Sequence, residues 1–206
     1  MLRLFVVIIL IPLFLSGCAT LNKEECETAN WNQIGFEDGV SGSSLTMVSS
    51  HRKACASHGI GVDLNAYKRG HAEGVLVFCT PRNGFEQGKS GYAYSGICPT
   101  EIERNFLKAY DSGKKIYSAR SLVSTLESEK WSNEEDIKRL KKKINKKTGL
   151  MLSDQTRVED RYRLNQEISD MQKQQGALEQ RKLELISKIT KANTNLKLTI
   201  NKYSNY

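Results

Sequence analysis

The sequence predicts an all-α protein: a small, disulfide-stapled, glycine-rich helical domain followed by a long helical hairpin of coiled-coil type. Three observations carry this. Apolar residues recur at heptad spacing between residues 102 and 144 and again between 164 and 196. No proline follows Pro99, so nothing interrupts a long helix beyond it. The first half carries two near-identical octets, Gly35-Phe36-Glu37-Asp38-Gly39-Val40-Ser41-Gly42 and Gly84-Phe85-Glu86-Gln87-Gly88-Lys89-Ser90-Gly91.

Residues 1–17 read as a targeting segment outside the fold. Arg3 supplies a short basic start, an apolar run extends from Leu4 to Leu15, and small residues precede a cysteine. The run is broken by Pro12 and is shorter than the roughly 20 residues a membrane helix needs. Leu15-Ser16-Gly17-Cys18 resembles the bacterial lipobox. That resemblance implies cleavage before Cys18, its diacylation, and acylation of the new terminus. Several acyl chains anchor durably where one is marginal. Ala19, rather than an aspartate, follows the cysteine, which in sorting of this type favours the outer membrane, facing the periplasm.

From Cys18 onward the chain has 189 residues, enough for one domain with an extension. Residues 18–119 carry 11 basic and 11 acidic side chains, whereas residues 120–206 carry 19 against 12. The expected division is therefore a neutral domain at 18–119 and a basic coiled-coil arm at 120–206. Apart from Cys18, four cysteines remain: Cys26, Cys55, Cys79 and Cys98. An even number in an exported chain favours disulfides. None has the close C-x2-C spacing of common zinc sites, so no metal is expected.

Asn22 or Thr20 caps a first helix, expected to run through Cys26, Trp31 and Phe36 to about Val40. A second spans about Thr46 to His58 and stops at Gly59. Asp63 caps a third, Leu64–Phe78. Pro81 to Ser95 reads as loop, and a fourth helix starts at Pro99, with Glu101 and Glu103 near its positive end. Cys26 near the start of helix one then meets Cys55 near the end of helix two. Cys79 ends helix three just where Cys98 precedes helix four. The expected pairs are Cys26–Cys55 and Cys79–Cys98.

Gly35, Gly39 and Gly42 share one helical face, as do Gly70 and Gly74. A helical glycine costs about 1 kcal/mol relative to alanine, and close packing of one segment on another is the expected compensation. A phosphate-cradling loop is the rival, but neither octet follows a strand or ends in Gly-Lys-Ser/Thr. The motifs Trp31-x3-Gly35-x2-Asp38-Gly39, His51-Arg52-Lys53-Ala54-Cys55, Tyr67-x2-Gly70-x3-Gly74-x4-Cys79, Gly84-Phe85-x2-Gly88-x2-Gly91 and Cys98-Pro99, with Phe106 and Tyr110-x2-Gly113, occur in this order. Over about residues 24 to 120 the chain resembles a family of proteobacterial lipoproteins known as domain of unknown function 2799. The resemblance implies an envelope lipoprotein and brings no reaction and no catalytic residue.

His51, His58 and His71 are the three histidines. With Asp63 or Glu73 they are candidates for a metal or acid–base site. Against this stands a surface placement beside Arg52 and Lys53, which the absence of ligand spacing favours. No nucleophile elbow occurs, and no catalytic residue or cofactor is expected.

In the arm, Ile102, Ala109, Ile116, Val123, Lys130, Ile137 and Ile144 form one seam with Ala119, Leu126 and Leu140 beside it. Leu164, Met171, Leu178, Leu185 and Ala192 form the other, with Ile168, Ile189 and Leu196. The turn is expected between Thr148 and Asp154, with a local break at Ser132-x2-Glu135. Arg161, Gln175 and Lys182 fall at inward positions, which a partner chain, including self-association, or a loose hairpin would accommodate. Lys138, Arg139, Lys141, Lys142, Lys143, Lys146 and Lys147 make the tip strongly basic.

The expected function is that of a lipid-anchored, non-enzymatic interaction module of the cell envelope. Its arm would meet another envelope protein, the cell wall or anionic lipid rather than nucleic acid. Two alternatives are an envelope enzyme or metal-binding protein using the His51/His58/His71 region, and a binder of small ligands or cell-wall fragments in an aromatic–glycine cleft.

Overall fold

The computed structural model describes residues 21–203; the targeting segment and Cys18 lie outside the described residues. Every regular element described is helical: α1 Lys23–Glu27, α2 Trp31–Val40, a 3-10 turn Leu45–Met47, α3 Val48–Ala56, α4 Leu64–Phe78, α5 Pro81–Ser90, α6 Thr100–Met151 and α7 Val158–Lys202. The chain divides into two compact units, the first holding residues up to Cys79 with Ser95–Pro99, the second Thr80–Tyr94 with Thr100 onward.

In the first unit, the single helix expected up to Val40 is broken between α1 and α2. Thr28 Oγ1 donates to Glu24 O, and Asn30 Oδ1 accepts from Gln33 N and starts α2 afresh. Short polar side chains offer the backbone such alternatives to a continuing helix. Asn22 and Glu25 close a reciprocal capping box on α1. Asp63 caps α4 by accepting from Asn65 N and Ala66 N, and the bounds of α4 are those expected.

Helices α2 and α4 lie in backbone contact. A Cβ at Gly35 or Gly39 would strike the carbonyl oxygens of Tyr67 or His71; one at Gly70 or Gly74 would strike those of Asn32 or Phe36. Gly42 ends the segment at φ +81°, with its Cα against the Phe78 ring. Cys26–Cys55 and Cys79–Cys98 are both formed, as expected, with Cα–Cα separations of 5.5 and 5.6 Å. The first lies in a core with Trp31 and Tyr67.

The second unit opens with α5, where a loop was expected. Thr80 caps it through Asn83 N, and Pro81 occupies its first turn. Its glycines are tolerated for the same reason as those of α2: Gly84 and Gly88 sit against the carbonyls of Phe106 and Tyr110 on α6, and Gly113 against that of Phe85. The two octets thus do one job twice. Gly91, at φ +78° beside the Tyr117 ring, stands where Gly42 stands beside Phe78. Even a side-chain bond recurs: His71 Nε2 donates to Ser43 O, the carbonyl after Gly42, and Tyr110 OH donates to Tyr92 O, the carbonyl after Gly91, both at 2.8 Å.

Helix α6 continues without interruption into the hairpin. No break occurs at Ser132-x2-Glu135, and the helix that packs on α5 is the helix that forms the first leg. At 1.5 Å per residue its 52 residues span roughly 80 Å. Ile116, Ala119, Val123, Ile137 and Ile144 are buried along it, with Leu164, Ile168, Leu185 and Ala192 buried on α7. The seam read from heptads is therefore the buried one. Asn133 falls on it too; its Nδ2 donates to Leu178 O at 2.9 Å. A buried amide of this kind favours one register over its neighbours.

The turn comes later than expected, at residues 152–157, with Gly149 inside α6. Thr156 Oγ1 donates to Leu150 O, and the Arg161 guanidinium donates to Ser153 O and Thr156 O. The inward-predicted Arg161 thus closes the turn. Lys182, another inward polar position, reaches Glu134 at 3.3 Å. Hydrogen bonds from Lys130 and then Lys182 hold the Glu134 carboxyl below the usual range.

Candidate functional site

Three helices of the first unit converge on one carboxylate. Asp38 on α2 accepts at Oδ2 from Tyr67 OH on α4 at 2.6 Å and from His51 Nε2 on α3 at 2.8 Å. Tyr67 is fully buried and His71 nearly so. The His51 and His71 rings each lie 6.0 Å from that of Tyr67, and Trp31 borders His51 at 6.4 Å. A carboxylate acceptor requires His51 Nε2 to carry hydrogen, and the Ser43 carbonyl requires the same of His71 Nε2. Both histidines therefore act as donors within the fold.

Burial first, then the hydrogen bond and charge of Asp38, push the Tyr67 phenol well above its ordinary pKa. Tyr67 is thus a fixed donor and is not poised to become a nucleophilic phenolate. A pKa raised on folding means the protonated phenol is favoured by the folded state. Its contribution is full below about pH 10, the ordinary tyrosine value, and is lost as pH rises further. Tyr67→Phe should cost about 1–2 kcal/mol near neutrality. In urea titrations above pH ~10, wild type should lose stability more steeply than Tyr67→Phe; parallel losses would contradict the raised pKa.

The placement of His51 and His71 corrects the surface reading of these residues. His58 is exposed beyond the end of α3, Asp63 is spent on capping α4, and Glu73 lines a separate groove. The histidine region therefore does not assemble as one site. Among the described residues, no group of three or more His, Cys, Asp or Glu side chains could hold a metal ion. The groove, about 570 Å³, is lined by Leu45, His71, Glu73, Leu76, Ile97 and Pro99 among others, with Asp38, His51 and Tyr67 outside its lining.

The Asp38–His51–Tyr67 cluster was missed in the sequence because its members lie 13 and 29 residues apart. A signal was present nonetheless. The repeated helix pair carries Gln87 and Phe106 where the first carries Asp38 and Tyr67. The glycine-paired scaffold forms with either set.

The seven basic residues between 138 and 147 divide into two groups. Lys138 pairs with Glu135, Arg139 with Asp136, Lys141 with Glu179 and Lys147 with Glu167. The hydrogen bond from Lys147 holds the Glu167 carboxyl below its usual range. Lys142, Lys143 and Lys146 are exposed and make no ion pair.

These features define, among the described residues, an all-helical, disulfide-stapled protein with glycine-paired helices and a long hairpin. Residues 30–115 match the family described as protein of unknown function (DUF2799). No curated protein and no solved structure matches the chain.

Proposed function

We propose that the chain is a lipid-anchored lipoprotein of the cell envelope, held in the outer membrane through Cys18, whose work is interaction through the α6–α7 hairpin rather than catalysis. The observation that carries this reading is the fate of the cysteines. All four beyond Cys18 are joined in disulfides, which suits an oxidising compartment and leaves Cys18, next to the lipobox-like sequence, for acylation. No helix among the described residues is long and apolar enough to cross a membrane, so attachment through Cys18 is consistent with the rest of the chain. The bonds from His51 and Tyr67 to Asp38 Oδ2 join α2, α3 and α4, which suits a structural part.

Cys18→Ser should abolish incorporation of labelled fatty acid and leave the precursor uncleaved at that position. Acyl labelling equal to wild type would overturn the anchoring reading. The metal-site alternative predicts that metal binding to the purified chain disappears with His51→Ala; the ligand alternative predicts a thermal shift with cell-wall fragments, through the groove beside His71.

A further inference from the structure

We infer that the tip of the α6–α7 hairpin docks on an anionic lipid surface, inserting an apolar knuckle between basic flanks. This deepens the interaction reading above and rests on it, because it names the partner that the hairpin meets.

The knuckle is built by the turn itself. Leu150 at the end of α6, Leu152 in the turn, and Val158 and Tyr162 at the start of α7 are 50, 70, 77 and 68% exposed. Heptad packing does not require them: the seam residues beside them, Ile144 and Leu164, are buried. Four large apolar side chains clustered in thirteen residues at one end of a hairpin are unlike scattered exposed leucines.

The flanks are cationic and available. Between residues 138 and 163 there are ten basic side chains against three acidic ones. Asp160 is occupied by Arg157 and Arg163, while Lys147 and Arg163 engage Glu167. Lys142, Lys143 and Lys146 keep their charges free. Lys142, Lys146 and Leu150 follow one another at i, i+4 spacing, so they share a face of α6 running toward the turn. Long lysine stems allow their ammonium groups to remain at headgroup level while the end of the hairpin goes deeper.

Charge complementarity demands an acidic partner, and the knuckle selects among acidic partners. A cell-wall polymer pairs with lysines but gives Leu152 and Val158 no apolar phase to enter. Anionic headgroups over acyl chains satisfy both, without the shaped pocket that a protein partner would have to provide.

The test uses the chain beginning at Ala19, which keeps every described helix and both disulfides and carries no anchoring cysteine. It is sedimented with phosphatidylcholine vesicles with and without phosphatidylglycerol. Binding is expected only with phosphatidylglycerol. Joint Lys142→Glu, Lys143→Glu and Lys146→Glu should weaken it by at least about tenfold, and joint Leu152→Ser and Val158→Ser should weaken it comparably. Helicity by circular dichroism, unchanged in all variants, separates lost binding from lost fold. In a Trp131→Phe background, Tyr162→Trp should shift its emission to the blue on the anionic vesicles. Absence of binding, equal binding to neutral vesicles, no emission shift, or full retention of binding by the serine variant would each overturn the proposal. None of these outcomes bears on Cys18, so failure here and failure of the anchor are read separately.

Discussion

Gly70→Ala will destabilise the first unit by about 2–3 kcal/mol or more, whereas Gly176→Ala will stabilise the hairpin by about 0.5–1 kcal/mol. Both glycines are helical and both substitutions add one methyl group. At Gly70 the methyl would meet the Asn32 carbonyl on α2, and backbone does not yield as a flexible side chain does; at Gly176 it meets nothing within 4 Å. The helix-propensity gain is the same in both places. The contact term decides the sign. Trp31, in the core of the first unit, and the exposed Trp131 on α6 are the two tryptophans. Trp131→Phe therefore leaves Trp31 fluorescence as a reporter of the first unit in urea titrations. Circular dichroism follows the hairpin for Gly176→Ala. Stabilisation by Gly70→Ala would mean that α2 and α4 are not in backbone contact.

Removing the Cys26–Cys55 disulfide by substituting both cysteines with alanine should cost about 3–4 kcal/mol, as expected for freeing a loop of this length in the unfolded chain. The cystine tethers α1 to α3 across 29 residues. It also packs against Trp31 and Tyr67, so its loss should shift the Trp31 transition to lower urea. A transition unmoved by the double substitution, or by reduction of the wild-type chain, would show that this bond contributes little.

Much of this architecture was legible in the sequence, and the exceptions share a cause. Helix α4 could be bounded because its signals are local: Asp63 caps it and its apolar face repeats. The hairpin seam could be read because heptads persist through Ile137, Ile144, Leu164 and Ile168. The disulfide pairs followed from the order of helix ends. Helix α5 could not be read, because Gly84 and Gly88 look like a loop until Phe106 and Tyr110 supply carbonyls for them to pack against. The turn was placed too early because Gly149 resembles a helix stop. The groups that close the turn, Thr156 and Arg161, act from beyond it. The Asp38 cluster was invisible for the same reason: a hydrogen bond between distant segments leaves no periodicity. Its trace lay only in the comparison of two repeats, Asp38 against Gln87 and Tyr67 against Phe106.

If the hairpin tip is the working end of an envelope-anchored protein, its surroundings in the cell should differ from those of the middle of the hairpin. A photoreactive residue in place of Leu152 in the full chain, activated in intact cells, reads those surroundings. The expected result is covalent attachment of phospholipid at position 152, lost when Lys142, Lys143 and Lys146 are reversed to glutamate, and absent when the reactive group replaces Ser128, exposed midway along α6. Equal lipid attachment at both positions, or attachment at 152 that survives charge reversal, would contradict a tip that seeks anionic lipid.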